Sequence, residues 1–229
     1  MSMIVVSGMI GLGKTSVSEI IAKELGSNVY YESVDDNPIL PLFYTSSEEE
    51  IQAKRYPFLL QLHFLRTRFA SIKEAYKEDN GVLDRSIYED WYFAYVNYQL
   101  GRISELEFKT YEGLLDEMMK EIEGLPYRKA PDLNIYLKGS LPTVLHRIGL
   151  RGREFEQDEK LIGYYRRLWR DYDKWLATHY KASQVLIVDM DKMDVVNNKE
   201  DAALLLDAVK HVLNNGGSAG TTTTITKGM

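Results

Sequence analysis

The chain has 229 residues, 45% hydrophobic and 27% charged, with no cysteine and a formal charge of −6, which is the composition of an ordinary globular protein. Its length suits one α/β domain with a single large core. Missing cysteine excludes disulfides and thiolate metal sites, and the acidic balance argues against a general nucleic-acid binder. No apolar run reaches bilayer length and no charged-then-apolar leader precedes the first strand, so a cytoplasmic protein without membrane contact is expected.

The first apolar run, Met3 to Val6, reads as a strand. It leads into Gly8-Met9-Ile10-Gly11-Leu12-Gly13-Lys14-Thr15-Ser16, after which Val17, Ile20, Ile21 and Leu25 recur at helical spacing up to a Gly26 C-cap. Strand, glycine loop and helix together match G-x-x-x-x-G-K-[ST], a phosphate-binding P-loop. Its glycines let backbone N–H groups turn inward, and the helix opening at Gly13 adds its positive dipole end. Lys14 is placed to reach the outer phosphates of a nucleoside triphosphate, and the Thr15 hydroxyl to help hold Mg2+.

Ser27 to Tyr31 reads as a second strand ending at Glu32, followed by the turn-rich Ser33 to Pro38 and the apolar Leu40 to Tyr44. Ser46 to Glu50 is an acidic loop or helix start. Pro57 sits well at the first position of a helix that runs to about Asp79, with the stripe Phe58, Leu62, Leu65, Phe69, Ile72, Tyr76. Gln61 and Arg68 border that stripe on one side, on one face to within about 20°. Gly81 to Leu83 is a third strand ending in Asp84-Arg85-Ser86. Helical segments follow from about Tyr88 to Leu100 and Glu105 to Glu123, closed by Gly124-Leu125-Pro126.

Leu133 to Leu137 is a fourth strand. Ser140 and Pro142 open a short helix, Leu141 to Gly149, that runs into Arg151-Gly152-Arg153. A helix from about Gln157 to Tyr180, a fifth strand Val185 to Val188 and a helix from about Lys199 to Leu213 complete the pattern. The Gly, Ser and Thr tail, 214–229, has little to bury and reads as disordered, outside a single domain of residues 1–213. Strands separated by helices imply an α/β fold: a five-stranded parallel sheet flanked by helices.

In such a sheet ligands bind beyond the carboxyl ends of the strands, and three predicted strands end there in chemically loaded groups. Taken alone, Glu32 reads as a solvated loop carboxylate, and Asp84-Arg85 as a surface ion pair or a helix cap. Three such groups at one sheet edge point to phosphoryl transfer. That chemistry needs a phosphate cradle, a metal, a carboxylate to take an acceptor proton, and positive charge over the moving group. Arg147 alone is a basic helix end; together with the compact Arg151-Gly152-Arg153 it reads as an arginine lid over the phosphates.

With Glu32, Gln61, Asp84-Arg85-Ser86 and Arg151-Gly152-Arg153 in view, the chain from about Ile4 to Leu213 resembles the deoxycytidine/deoxyguanosine/deoxyadenosine kinase family, and most its bacterial deoxyadenosine and deoxyguanosine kinases. The resemblance implies the P-loop nucleoside-kinase fold and ATP- and Mg2+-dependent phosphorylation of a deoxynucleoside 5′-hydroxyl. Glu32-Ser33-Val34 matches the family's Glu-x-Val, whose glutamate contacts that hydroxyl. Asp84-Arg85-Ser86 matches its Glu/Asp-Arg-Ser, with Arg85 at the 5′ end and Asp84 near the metal beside Thr15. Both Glu32 and Asp84 stand as candidate bases. Tyr44 and Glu156 match the groups on the sugar 3′-hydroxyl, and Gln61, Arg68 and Asp90 the base-reading set, a pattern that favours deoxyadenosine or deoxyguanosine and admits deoxycytidine. The chain departs from many eukaryotic members at Ser33 and Asn37, and Ala94 takes the place of a base-stacking phenylalanine, with Phe93 adjacent.

Two other readings share the P-loop: a thymidylate-type nucleoside-monophosphate kinase and a non-catalytic ATP-binding module. The first needs basic residues at the acceptor end, where this chain offers Glu32, Tyr44 and Glu156; the second leaves the lid arginines unused. The resemblance implies a homodimer, and the aromatic and leucine faces between Tyr88 and Glu123 either serve it or cover the sheet.

Overall fold

The computed structural model describes residues 2–34, 36–124, 130–216 and 218–227. A parallel sheet runs in the order β2 (Val29–Tyr30), β3 (Gly81–Asp84), β1 (Met3–Gly8), β4 (Leu133–Lys138), β5 (Gln184–Asp189), β6 (Thr222–Ile225). Around it lie α1 (Lys14–Leu25), α2 (Leu40–Thr45), α3 (Glu48–Ala53), α4 (Tyr56–Ala75), α5 (Ile87–Gln99), α6 (Glu105–Gly124), α7 (Leu141–Arg151), α8 (Leu161–His179) and α9 (Lys199–Asn215).

Alternation along each strand divides the core into two layers. Ile4 and Val6 of β1 and Val82 of β3 join the layer that holds α1, α7, α8 and α9. Met3, Val5 and Leu83 face the layer built by α4, α5 and α6. β1 pairs with β3 on one side and β4 on the other, so the chain crosses in both directions from it. That is the topological switch point, and it places the loop after β1 where an open α/β sheet binds its ligands.

The local signals behave as expected. Gly26 closes α1 in the left-handed region, and the Ser140 side chain accepts the Thr143 N–H at the start of α7. Ser86 caps α5 by accepting the Tyr88 N–H at 3.1 Å, and Glu89 returns the bond by accepting the Ser86 N–H at 2.8 Å, a capping box. The buried face of α4 carries Leu60, Gln61, Leu65, Arg68 and Ile72, with Phe58, Leu62 and Phe69 half-buried beside it. Gln61 and Arg68 therefore lie on the buried face itself. The Leu125-Pro126 stop expected after α6 lies outside the described residues.

One expectation is corrected. The sheet has six strands, because the Gly, Ser and Thr segment contributes β6, paired in parallel with β5 from Val185↔Thr222 to Val188↔Ile225. α9 also continues into that segment as far as Asn215. β6 gives no hydrophobic signal because its side chains are exposed or nearly so. Backbone pairing with β5 holds it, helped by an ion pair of Lys227 with Asp201 at 2.9 Å.

Removing residues 218–229 leaves the β5 backbone as a bare edge but uncovers little apolar surface. Net hydrogen-bond contributions then predict a loss of about 1–2 kcal/mol, or roughly 2–8 °C in Tm, read by thermal melting. An unchanged Tm would show that β6 adds nothing to the sheet.

Candidate active site

The loop after β1 is shaped by close approach. Gly8 has φ +137°, and a Cβ there would lie 2.6 Å from the Leu137 carbonyl oxygen, so the adjacent strand leaves no room for a side chain. Gly13, at φ +86°, is the N-cap of α1 and offers no side-chain cap, which leaves the first N–H groups of α1 for a ligand. Lys14 is buried and bends back to donate to the Gly8 and Met9 carbonyls, each at 3.0 Å. Burial, and then the nearby charge of Arg85, lower its pKa to about 8 against the pull of Glu32, Asp84 and Glu89. Arrival of phosphate charge would reverse that shift.

Asp84, the last residue of β3, accepts the Thr15 hydroxyl on Oδ2 at 2.6 Å, while its buried Oδ1 has no hydrogen-bond partner. Burial pushes its pKa up, Glu32 adds to the rise, and Lys14 opposes it. A hydroxyl beside a carboxylate with an unused oxygen fits a magnesium ion, which takes one or two protein oxygens and completes its shell with phosphate and water. Among the described residues no cluster of three or more acidic, histidine or cysteine side chains is arranged to hold a metal without such help.

Arg85 turns the chain at the end of β3 with φ +83°, an uncommon conformation for a side-chain-bearing residue. Its N–H still bonds the Val6 carbonyl at 2.9 Å, while its guanidinium is buried over the Phe93 ring, 4.7 Å from the centroid. There Arg85 Nε lies 2.7 Å from Glu32 Oε1, and Nη1 3.1 Å from Glu89 Oε1. Arg68 reaches the same Glu32 oxygen at 3.0 Å, holds Asp90 through Nε at 3.1 Å and Nη2 at 3.2 Å, and donates to the Asp84 carbonyl at 2.8 Å. Burial would raise the Glu32 pKa. The charges of Arg85, Arg68 and Lys14 and the Arg68 hydrogen bond overrule it and hold Glu32 at about 2. Burial raises Asp90, with Arg68 opposing.

Most of these groups line one cavity of 440 Å³. Its lining joins Ile10, Gly11, Gly13, Lys14, Thr15 and Ser16 of the glycine loop with Glu32, Asp84 and Arg85 and with Gln61, Asp90 and Phe93. Gln61 is buried and its Oε1 has no partner. Arg68 stands behind the wall, tying Asp90 to Glu32. Also on the lining, Tyr44 stacks on Phe155 at 5.8 Å, and Arg151 and Arg153 converge on the buried Glu156. Phe93, and not Ala94, faces this cavity: Ala94 packs into the α4–α5–α6 layer. Arg147 is placed differently from its lid neighbours. It donates to the Leu12 and Met190 carbonyls, each at 3.3 Å, and so braces the back of the P-loop. Gly8, Met9 and Leu12 form the buried root of that loop.

Phe64, Tyr164 and Glu89 were not legible as site residues. Phe64 has no polar group, and the Tyr164 hydroxyl does not stand out in a helix that also carries Tyr165 and Tyr172. Glu89 had one signal, the Ser86-x-x-Glu89 capping box.

A P-loop and a carboxylate–arginine cluster, joined in one cavity at the switch point of a parallel sheet, define a P-loop phosphotransferase. The sequence model of the family described as deoxynucleoside kinase matches residues 4–214, and the chain belongs to that family. It is 47% identical over 212 residues to the deoxyguanosine kinase of Lactobacillus johnsonii, covering 91% of each protein. It is 46% identical to the deoxyadenosine kinase of Lactobacillus acidophilus over 198 residues, 85% of this chain and 88% of that protein. The structure of deoxyadenosine kinase from M. mycoides with bound dATP superposes with a TM-score of 0.72 at 26% identity, covering 93% of this chain and 99% of that one. The protein is thus an α/β deoxynucleoside kinase. No helix among the described residues is long and apolar enough to cross a membrane.

The low Glu32 pKa carries a stability consequence. The folded value lies below the ordinary one, so the ionised pair stabilises the fold fully above about pH 4.5, and this contribution fades as pH falls toward about 2. Glu32→Gln is expected to cost about 3 kcal/mol near pH 7. That gap should close on acidification, as read by urea melts at several pH values. A gap that does not change with pH would show that the arginines do not hold Glu32.

Proposed function

We propose that this kinase transfers the terminal phosphoryl group of ATP to the 5′-hydroxyl of a purine deoxynucleoside, deoxyguanosine or deoxyadenosine. One observation carries the reading: Glu32, held ionised by Arg85 and Arg68, lines the same cavity as the P-loop and as Gln61 and Asp90. Backbone N–H groups of residues 8–16 and Lys14 hold the donor phosphates, and Glu32 accepts a hydrogen bond from the nucleoside hydroxyl. With a pKa of about 2 it is a weak base. It orients the hydroxyl first and takes the proton as the new P–O bond forms and the attacking oxygen becomes acidic. Arg85 holds the 5′ end, Arg151 and Arg153 stabilise charge on the moving group, and Arg147 fixes the loop that carries it. Thr15 and Asp84 would hold magnesium, which supplies charge neutralisation on the phosphates when bound.

The buried Oε1 of Gln61 seeks a donor, and the exocyclic or ring N–H of a base edge is one. Asp90, locked by Arg68, adds a second polar group, and Phe93 a flat apolar wall. Tyr44 and Glu156 receive the sugar hydroxyl. The purine choice rests on the relatives, two of which are a deoxyguanosine and a deoxyadenosine kinase at 46–47% identity. A cytoplasmic location fits a nucleoside triphosphate donor and described residues that include no helix able to cross a membrane. Leu100, Leu106 and Leu114, exposed on and beside α5 and α6, give a homodimer an apolar face.

Steady-state assays with ATP and Mg2+ across the natural nucleosides and their monophosphates test the reading. Turnover is expected with deoxyguanosine or deoxyadenosine and lost on chelation. Glu32→Gln should lower kcat by roughly 10²–10⁴-fold with nucleoside KM little changed. Preference for a monophosphate acceptor, or near-normal turnover in Glu32→Gln, would overturn it, the second outcome moving the base to Asp84. For the assembly, light scattering should return twice the chain mass, and a monomer at working concentration would exclude the dimer.

A further inference from the structure

Glu89 is the buried carboxylate that the proposed chemistry leaves unused. It is 1% exposed and lies in the first turn of α5, away from the cavity lining. A carboxylate taken out of water needs full hydrogen bonding, and Glu89 has four donors from separate parts of the fold. Oε1 accepts the Gly8 N–H at 3.1 Å, Arg85 Nη1 at 3.1 Å and the Tyr172 hydroxyl, while Oε2 accepts the Ser86 N–H at 2.8 Å.

Each donor belongs to a working part. Gly8 is the root of the P-loop, in a conformation and at a clearance that admit no side chain. Arg85 is the acceptor-end guanidinium, turned back at φ +83°. Tyr172 lies on α8, the helix that follows the Arg151–Arg153 segment; it is fully buried and stacks on Tyr136 of β4 at 5.3 Å. A capping box needs only the Ser86 bond. The other three exceed what starting a helix requires.

We infer that Glu89 is a positioning residue for phosphoryl transfer, fixing the distance between the P-loop and Arg85 and tying both to α8 through Tyr172. The double pairing of Arg85 shows what this accomplishes. Glu32 and Glu89 hold different guanidinium nitrogens, Nε and Nη1. When Glu32 turns its lone pairs to the nucleoside hydroxyl, Arg85 keeps a charged partner and stays in place. Without Glu89 it would follow Glu32, or lie buried with too little compensation. Tyr172 donates to the same oxygen that accepts the Gly8 N–H and Arg85, so a change in α8 is felt at both through a single carboxylate.

The inference rests on the phosphotransfer reading, and the experiment separates the two. kcat, nucleoside KM and ATP KM are measured for wild type, Glu89→Gln, Arg85→Lys and the double variant, with a thermal melt for each. The amide keeps the size of Glu89 but loses the charge and one acceptor atom. Lysine keeps the charge of Arg85 but not the fork that spans two carboxylates. Misplacing reacting groups by a fraction of an ångström predicts a fall in kcat of roughly 30- to 100-fold for Glu89→Gln, with both KM values within about threefold. The double variant should be no more than about threefold slower than Arg85→Lys alone, because both substitutions break one arrangement. Tyr172→Phe, which removes one hydroxyl, guards against misfolding of the glutamine variant. It should lower kcat about three- to tenfold in wild type and hardly at all in Arg85→Lys. A purely structural Glu89 would lower Tm and the active fraction while leaving kcat per folded site intact. That result, multiplying effects in the double variant, or an unchanged kcat in Tyr172→Phe overturns the inference. A wild type inactive on every nucleoside removes the phosphotransfer reading and the inference together.

Discussion

A guanidinium buried at the end of a strand must find its countercharge inside the protein, and the pairing of Arg85 with Glu32 organises what surrounds it. The residue bends into the left-handed region, where a side chain costs of order 1–3 kcal/mol. It stays there because its N–H closes on Val6, its plane lies over Phe93, and its nitrogens meet Glu32 and Glu89. Breaking such a pair by removing one partner leaves an uncompensated buried charge, which costs about 3–5 kcal/mol. Glu32, on a loop after a strand of two residues, gains its fixed position from this contact and from Arg68, not from β2.

The charges around that pair divide their work by environment. Glu32 is held far below the ordinary carboxylate range by three cations, whereas burial pushes Asp84 and Asp90 upward. Lys14 is pulled down to about 8 while it serves two carbonyls of its own loop. Glu32 is thus settled before any ligand arrives, but Lys14 and Asp84 are not. A triphosphate would restore the charge of Lys14, and a cation would satisfy Asp84. Glu32 is preorganised by its arginines, whereas Lys14 and Asp84 are left for a ligand to complete.

Much of this was legible in the sequence where the signal is local. The P-loop is a contiguous string with a strand before it and a helix after it, and Asp84-Arg85-Ser86 closes a recognisable strand. Gln61 and Arg68 share a helix face by spacing alone, and the structure buries both. What escaped is what spacing does not encode. The contact of Arg68 with Glu32 joins residues 36 apart, and that of Tyr172 with Glu89 joins residues 83 apart. Arg147 lies only about one turn before Arg151 on the same helix, yet it braces Leu12 and Met190 while Arg151 pairs with Glu156, a difference of partners that spacing along the helix does not encode. β6 escaped for another reason: a strand held by backbone bonds at a solvated edge has no hydrophobic pattern to read.

The proposed chemistry depends on which atom of the acceptor meets the donor phosphate. Product made from deoxyguanosine or deoxyadenosine with ATP and Mg2+, purified and analysed by two-dimensional phosphorus–proton NMR, tests this most directly. A phosphorus correlated with the two 5′-methylene protons is the result predicted if Glu32 receives the 5′-hydroxyl. A phosphorus correlated with the 3′ proton, a diphosphate chain, or only free phosphate from ATP would contradict it.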